Sequence, residues 1–220
     1  MMTGMSSHLS APLILAKSAR PSRSAARKGK STGFSLVEVL VSIIVLSFGL
    51  LGMVGMQAAS LQANREARLQ SSAVVLAREL AEMVRGNKAV GVLAVNNPYV
   101  GTFSNPAGST PLAPSAPKYC LGVGVTACAD TTEIATAELT EWLARVDAEL
   151  PGARVSICFD SAPFDSNGLP RWACTDTGGV LVVKIGWTKG STNKSLTGDN
   201  AFERATVPSM VLPVTAGNIV

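Results

Sequence analysis

The chain has 220 residues, with 19 Lys or Arg against 15 Asp or Glu, 47% hydrophobic residues and 5% aromatics. That length holds one modest domain beside any membrane element, and so few aromatics require a core of Val, Leu, Ile and Ala. The net charge of +4 argues for no nucleic-acid surface, because six basic residues and no acid precede residue 34, and the remainder carries thirteen basic and fifteen acidic residues, a net of −2.

In chain order, residues 1–33 form a basic leader, with Lys17, Arg20, Arg23, Arg27, Lys28 and Lys30 among Ser, Pro and Gly. Such a composition builds no packed core. The sole histidine, His8, lies in it. From Phe34 to Gln57 the only charge is Glu38, and Val39–Met56 is a run of eighteen uncharged, mostly apolar residues. A helix of that length just crosses a hydrocarbon core of about 30 Å. The positive charge before it predicts a cytoplasmic N-terminus, with the rest of the chain sent outward. A carboxylate near the end of a membrane helix is costly unless compensated, so Glu38 is a candidate functional residue.

Gly33 followed by Phe34-Ser35-Leu36-Val37-Glu38, after a basic leader and before an apolar run, resembles the cleavage and assembly motif of type IV prepilins. The resemblance implies a membrane peptidase that cuts after Gly33 and methylates the new amine of Phe34. It also implies that Glu38 stays in the membrane helix and neutralises the N-terminal amine of an adjacent subunit during docking. Physically, two lone charges in lipid are each costly, and pairing removes most of that cost. The competing readings are a signal anchor with an incidental glutamate and a cleaved secretory signal. The second requires a shorter apolar core, followed by small residues at its cut site.

No proline occurs from Phe34 to Val84, which predicts one helix from Phe34 to Arg85 with Gly86-Asn87 as its C-cap. Leu69, Ala73, Leu76, Leu80 and Met83 recur at helical spacing opposite Arg78, Glu82 and Arg85, the pattern of a face packed on a domain. Gly49, Gly52 and Gly55 weaken the helix by roughly 1 kcal/mol each relative to Ala. Residues 87–129 are rich in Pro, Gly, Asn and Ser and are expected to form a long, largely irregular connection, ending in an apolar piece from Tyr119 to Val125. The resemblance makes this a variable surface loop.

Asp130-x-x-Glu133 opens a second helix with an apolar side of Ile134, Leu139, Trp142, Leu143, Val146 and Leu150, ended by Pro151-Gly152. Three strand-like runs follow, Ala153–Phe159, Val180–Trp187 and Arg204–Leu212, with Pro208 marking an edge or a break in the last. The expected fold class is α+β: a long N-terminal helix, membrane-spanning in its first half, packed on a small antiparallel sheet. This is also the pilin-like fold that the resemblance implies. The domain boundaries expected are a removed leader at 1–33, the helix at 34–86 with its membrane part about 34–56, and a periplasmic or extracellular domain at 87–220.

Cys120, Cys128, Cys158 and Cys174 are even in number, in a region expected to lie outside the cytoplasm, where disulfides persist. Local pairing, Cys120 with Cys128 and Cys158 with Cys174, is favoured among three connectivities. A tetrathiolate zinc site is the alternative, and no C-x-x-C spacing supports it. A chain starting at Phe34 has no histidine, which excludes Ser-His, Cys-His and histidine-metal chemistry. No enzyme activity, cofactor or small-molecule substrate is expected. Asp160, Asp165 and Asn167 offer oxygen ligands for Ca²⁺, but DSNG reads first as a turn. Gly178-Gly179 and Gly122-x-Gly124 match no phosphate loop, and Lys184, Lys189 and Lys194 are too sparse for DNA.

A looser resemblance covers most of the chain after residue 33. YCLG, the LPGA helix end, Cys158-Phe159-Asp160, Trp172 and VKIGW look like the type IV pilus modification proteins, the PilV-type minor pilins. It implies pilus assembly with other minor pilins and the major pilin, supporting adhesion or twitching motility. The implied location is the inner membrane and then the fibre. A pseudopilin of a type II secretion machine, and a pilus-borne adhesin or DNA-uptake module using residues 87–129, are the other two function classes.

Overall fold

A computed structural model describes residues 33–104, 111–191, 195, 197–198 and 202–217. Helix α1 runs Leu36–Gly86, 51 residues without a break. Nothing in its sequence stops it, since it lacks proline, and Glu38 in the first turn and Arg85 in the last both complement the helix dipole. It includes a stretch long and apolar enough to cross a membrane, of which 0% is buried. Chain contacts divide the protein into two units, Met1–Leu51 and Gly52–Val220, and the division falls within α1.

In the second unit α1 buries Ala73, Leu76, Ala77, Leu80, Ala81 and Val84, with Leu69 and Met83 partly covered at the edge. Small Ala residues alternate with larger ones on this face, against which α3 (Thr131–Glu149) packs through its side chains. Helix α3 contributes Leu139, Trp142, Leu143 and Val146 to the same core. Trp142 donates its indole N–H to the Leu76 carbonyl at 2.8 Å, and Arg145 pairs with Glu79 at 2.5 Å, so both helices are pinned in register. At the start of α3, Asp130 accepts from the amides of Thr132 and Glu133 at 2.9 and 2.8 Å. The Glu133 carboxylate reaches back to the Ala129 amide, one residue earlier than a capping box places it.

The sheet has four strands in the order β1-β2-β3-β6, every neighbouring pair antiparallel: β1 (Gly101–Ser104), β2 (Arg154–Phe159), β3 (Leu181–Gly186) and β6 (Met210–Val214). Strands β4 (Lys189–Gly190) and β5 (Phe202–Glu203) form a separate two-stranded ribbon. One sheet face, with Val155, Ile157, Val183 and Ile185, packs on the two helices. This is the α+β arrangement expected.

Two expectations need correction. The described part of 87–129 is largely irregular, as expected, but not throughout. It holds α2 (Lys88–Gly91) and β1, the fourth strand of the sheet, while 105–110 lie outside the described residues. Tyr99 anchors this segment: it is fully buried, its hydroxyl donates to Glu138 at 2.6 Å, and its amide is held by the Asn97 side chain at 3.0 Å. Burial, and then the Glu138 carboxylate, push the Tyr99 phenol far above its ordinary value, so it stays a donor. The last strand is also displaced. Pro208 breaks the run, and pairing begins at Met210, where Met210 faces Ile185. Pro213 sits within β6, which is tolerable because β6 is an edge strand and proline has no amide to offer.

Candidate functional site

Gly33, Phe34 and Ser35 precede α1 in non-helical conformation. The Ser35 carbonyl accepts from the amides of Glu38 and Val39 at 3.0 and 3.2 Å, which starts the helix and sets Glu38 in its first turn. Phe34 is 84% exposed. Phe34, Glu38, Val39, Ser42, Ile43 and Leu46 line a concave patch of about 380 Å³ on one side of the helix. Ser42 turns its hydroxyl back onto the Glu38 carbonyl at 2.7 Å, and so does not serve the carboxylate. Among the described residues the Glu38 carboxylate has no ion pair or hydrogen bond. It is exposed on a stretch of the helix whose other side chains are mostly Val, Leu and Ile.

Gly33, Gly49, Gly52 and Gly55 have nothing within 4 Å of where a Cβ would stand. None is required by this chain's own packing.

Residues 28–54 match the family model described as the prokaryotic N-terminal methylation motif. The chain carries a prepilin methylation motif. With the long apolar helix, this fits a membrane-anchored subunit of type IV pilin or pseudopilin kind, handled by prepilin peptidase. No curated protein and no solved structure matches the chain.

The second unit holds the remaining sequence candidates. Disulfides join Cys120 to Cys128 and Cys158 to Cys174. The first closes a loop in which Leu121, Val123 and Val125 are exposed, with Tyr119, also exposed, just before it. The second ties the segment after β2 back to the strand. This segment covers the sheet face turned away from the helices, which is why all six residues of β3 are buried. Trp172 lies over Gly186, where a Cβ would come within 2.8 Å of the indole, and Arg154 stacks on the same ring at 4.2 Å.

Beneath this cover lies an ion pair that the sequence reading missed. Lys184, on the covered face of β3, donates to Asp160 at 2.5 Å and to the Ala173 carbonyl at 2.7 Å, and both charged side chains are 0% exposed. Asp160 also accepts from the Ala162 amide at 3.0 Å and the Thr175 hydroxyl at 3.1 Å. Its place just after a strand whose Cys158 returns to Cys174 is the one sequence signal that a covered pocket follows.

Asp160, Asp165 and Asn167 therefore do not gather as a calcium site. Asp160 is committed to Lys184, while Asp165 accepts from the amides of Asn167 and Leu169, both at 2.8 Å, and closes a turn. Among the described residues the only metal-like grouping is Cys158, Cys174 and Asp176, and its two sulfurs are spent on the disulfide. Lys184 is buried, Lys189 pairs with Glu66 at 3.1 Å, and Lys194 lies outside the described residues.

Burial pushes the Asp160 carboxyl up. The hydrogen bonds from Lys184, Ala162 and Thr175, with the lysine charge, outweigh it and hold the group below the ordinary carboxylate value. A depressed acid contributes stability that is present above its unfolded value, about 3.9, and is lost as pH falls through the lower folded value. Urea stability of the full chain is therefore expected to lose this contribution only below about pH 4. Asp160→Asn should start lower and show a shallower acid slope. An equal slope in both proteins would remove Asp160 as its source.

Proposed function

We propose that the chain is a minor pilin of a type IV pilus, a structural and assembly subunit processed by prepilin peptidase. In this reading residues 1–33 are a leader removed after Gly33, and Phe34 is the new, methylated N-terminus. Residues 34 to about 56 cross the inner membrane, and 87–220 form the domain on its far side. The observation that carries the reading is the unpartnered Glu38 within the matched motif, one helical turn from where the new ammonium stands. That carboxylate neutralises the terminal amine of an adjacent pilin. Its partners are then the peptidase, the bilayer, other minor pilins and the major pilin, with adhesion or twitching motility as the output.

Glu38→Val tests the pairing. Cleavage should persist, while incorporation into sheared filaments falls. Leaving one ammonium uncompensated in lipid costs about 2 kcal/mol or more, roughly thirtyfold in docking. Wild-type incorporation of this variant would end the charge-pairing reading. The N-terminal chemistry serves a type II secretion pseudopilin equally. Deletion separates the two, with lost surface pili supporting the first and lost exoprotein secretion the second. An adhesive or DNA-uptake role has one observation in its favour, the exposed apolar residues of the loop closed by Cys120–Cys128. Tight binding of a receptor or DNA, with filaments intact in the deletion strain, would favour it.

A further inference from the structure

Between Glu38 and Arg65 no residue carries a charge. The first cations after that stretch, Arg65 and Arg68, are exposed and make no ion pair or hydrogen bond among the described residues. Leu61, Arg65 and Arg68 follow at spacings of four and three, so they share one face of α1. Beside them is a groove of about 570 Å³ between α1 and the β4–β5 ribbon, with Leu61 and Phe202 on its walls. Leu61 is 71% and Phe202 53% exposed, large apolar surfaces with nothing on them. The one acid in the groove, Glu66, is neutralised by Lys189 at 3.1 Å. Among the described residues Arg65 and Arg68 therefore leave this face with two uncompensated positive charges beside apolar walls.

The apolar run ends at Met56, and Arg65 stands nine residues further, ~14 Å along the helix at 1.5 Å per residue. Side chains on a helix lean toward its N-terminus, here toward the apolar run, and a long arginine extends further by snorkelling. The headgroup layer adds about 5–8 Å beyond the hydrocarbon. The Arg65 guanidinium thus reaches the outer part of the headgroup layer, and Arg68, three residues or ~4.5 Å further out, stands just beyond it, while Leu61 lies between Arg65 and the hydrocarbon.

We propose that this face docks an anionic phospholipid, its phosphate held by Arg65, with Arg68 one turn further out adding its charge, and its glycerol and upper acyl carbons against Leu61 and Phe202. The inference rests on the reading of the first part of α1 as membrane-spanning. Charge complementarity selects the lipid class: two unpaired cations favour a headgroup with net negative charge over a zwitterionic one. The contact belongs to the membrane stage of the protein's life and ends when the subunit leaves the bilayer.

The test uses the full processed chain, one copy per nanodisc, in phosphatidylcholine alone or with about one third phosphatidylglycerol. Lipids retained by the released protein are counted by native mass spectrometry. Wild type is expected to retain phosphatidylglycerol and phosphatidylcholine in a ratio about tenfold above that of the disc, and less so at high salt. Arg65→Gln with Arg68→Gln should enter discs normally and lose the preference, whereas Arg65→Lys with Arg68→Lys keeps most of it. Equal retention by wild type and the glutamine variant overturns the proposal. So does a preference seen only with two copies per disc, which places the lipid site between two chains rather than on this face of one. A chain that enters neither kind of disc overturns the membrane reading itself, and that failure is distinct from insertion without selectivity.

Discussion

Lys184→Met is expected to destabilise the protein by about 3–5 kcal/mol, measured by urea unfolding of the full chain in detergent. Methionine fills most of the volume, so the loss is electrostatic: it leaves the Asp160 carboxylate buried without its cation and removes the donor to the Ala173 carbonyl. A surface ion pair gives a very different number, about 0–1 kcal/mol, because water replaces the lost partner. Asp160→Asn added to Lys184→Met should recover a large part of the loss. A neutral amide oxygen still accepts from Ala162 and Thr175, and no bare charge remains. A single-variant cost below about 1 kcal/mol would show that water reaches the pair.

Gly33→Val is expected to abolish trimming, leaving full-length precursor in the membrane. N-terminal mass spectrometry should find wild type beginning at a methylated Phe34 and the variant retaining residues 1–33. The fold gives no reason for a glycine here, because a Cβ at Gly33 meets nothing within 4 Å. In the proposed reading the demand comes from the peptidase, which must bring its catalytic groups against the backbone at this bond, where a branched side chain stands in the way. The variant's helix content should match that of wild type. A normally trimmed valine variant would mean that the peptidase does not read the glycine.

These two residues differ in how far the sequence announces them. The motif that holds Gly33 and Glu38 is legible because it is local: a glycine, one acid and an apolar run in fixed order along one stretch. Lys184 is not. In LVVKIG it occupies a position that alternation assigns to an exposed face, and only the segment tied down by Cys158–Cys174 makes that face an interior. Strand β1 was illegible for a related reason. Gly-Thr-Phe-Ser has little strand character of its own and becomes a strand through pairing with Arg154–Ile157 of β2. Asp160 and Asp165 look alike in sequence and diverge entirely in place, one under the cover segment and one closing an exposed turn.

The residues alone determine the long helix, its apolar and amphipathic stretches, the capped second helix, two central strands and the prepilin motif. All of these rest on periodicity or on neighbours within a few positions. The tertiary structure decides the fourth strand, the start of the last one, the covered outer face of the sheet and the charge pair beneath it. Each of these depends on a pairing or burial between segments far apart in the chain, and burial is a property of the packed molecule that no short window of sequence contains.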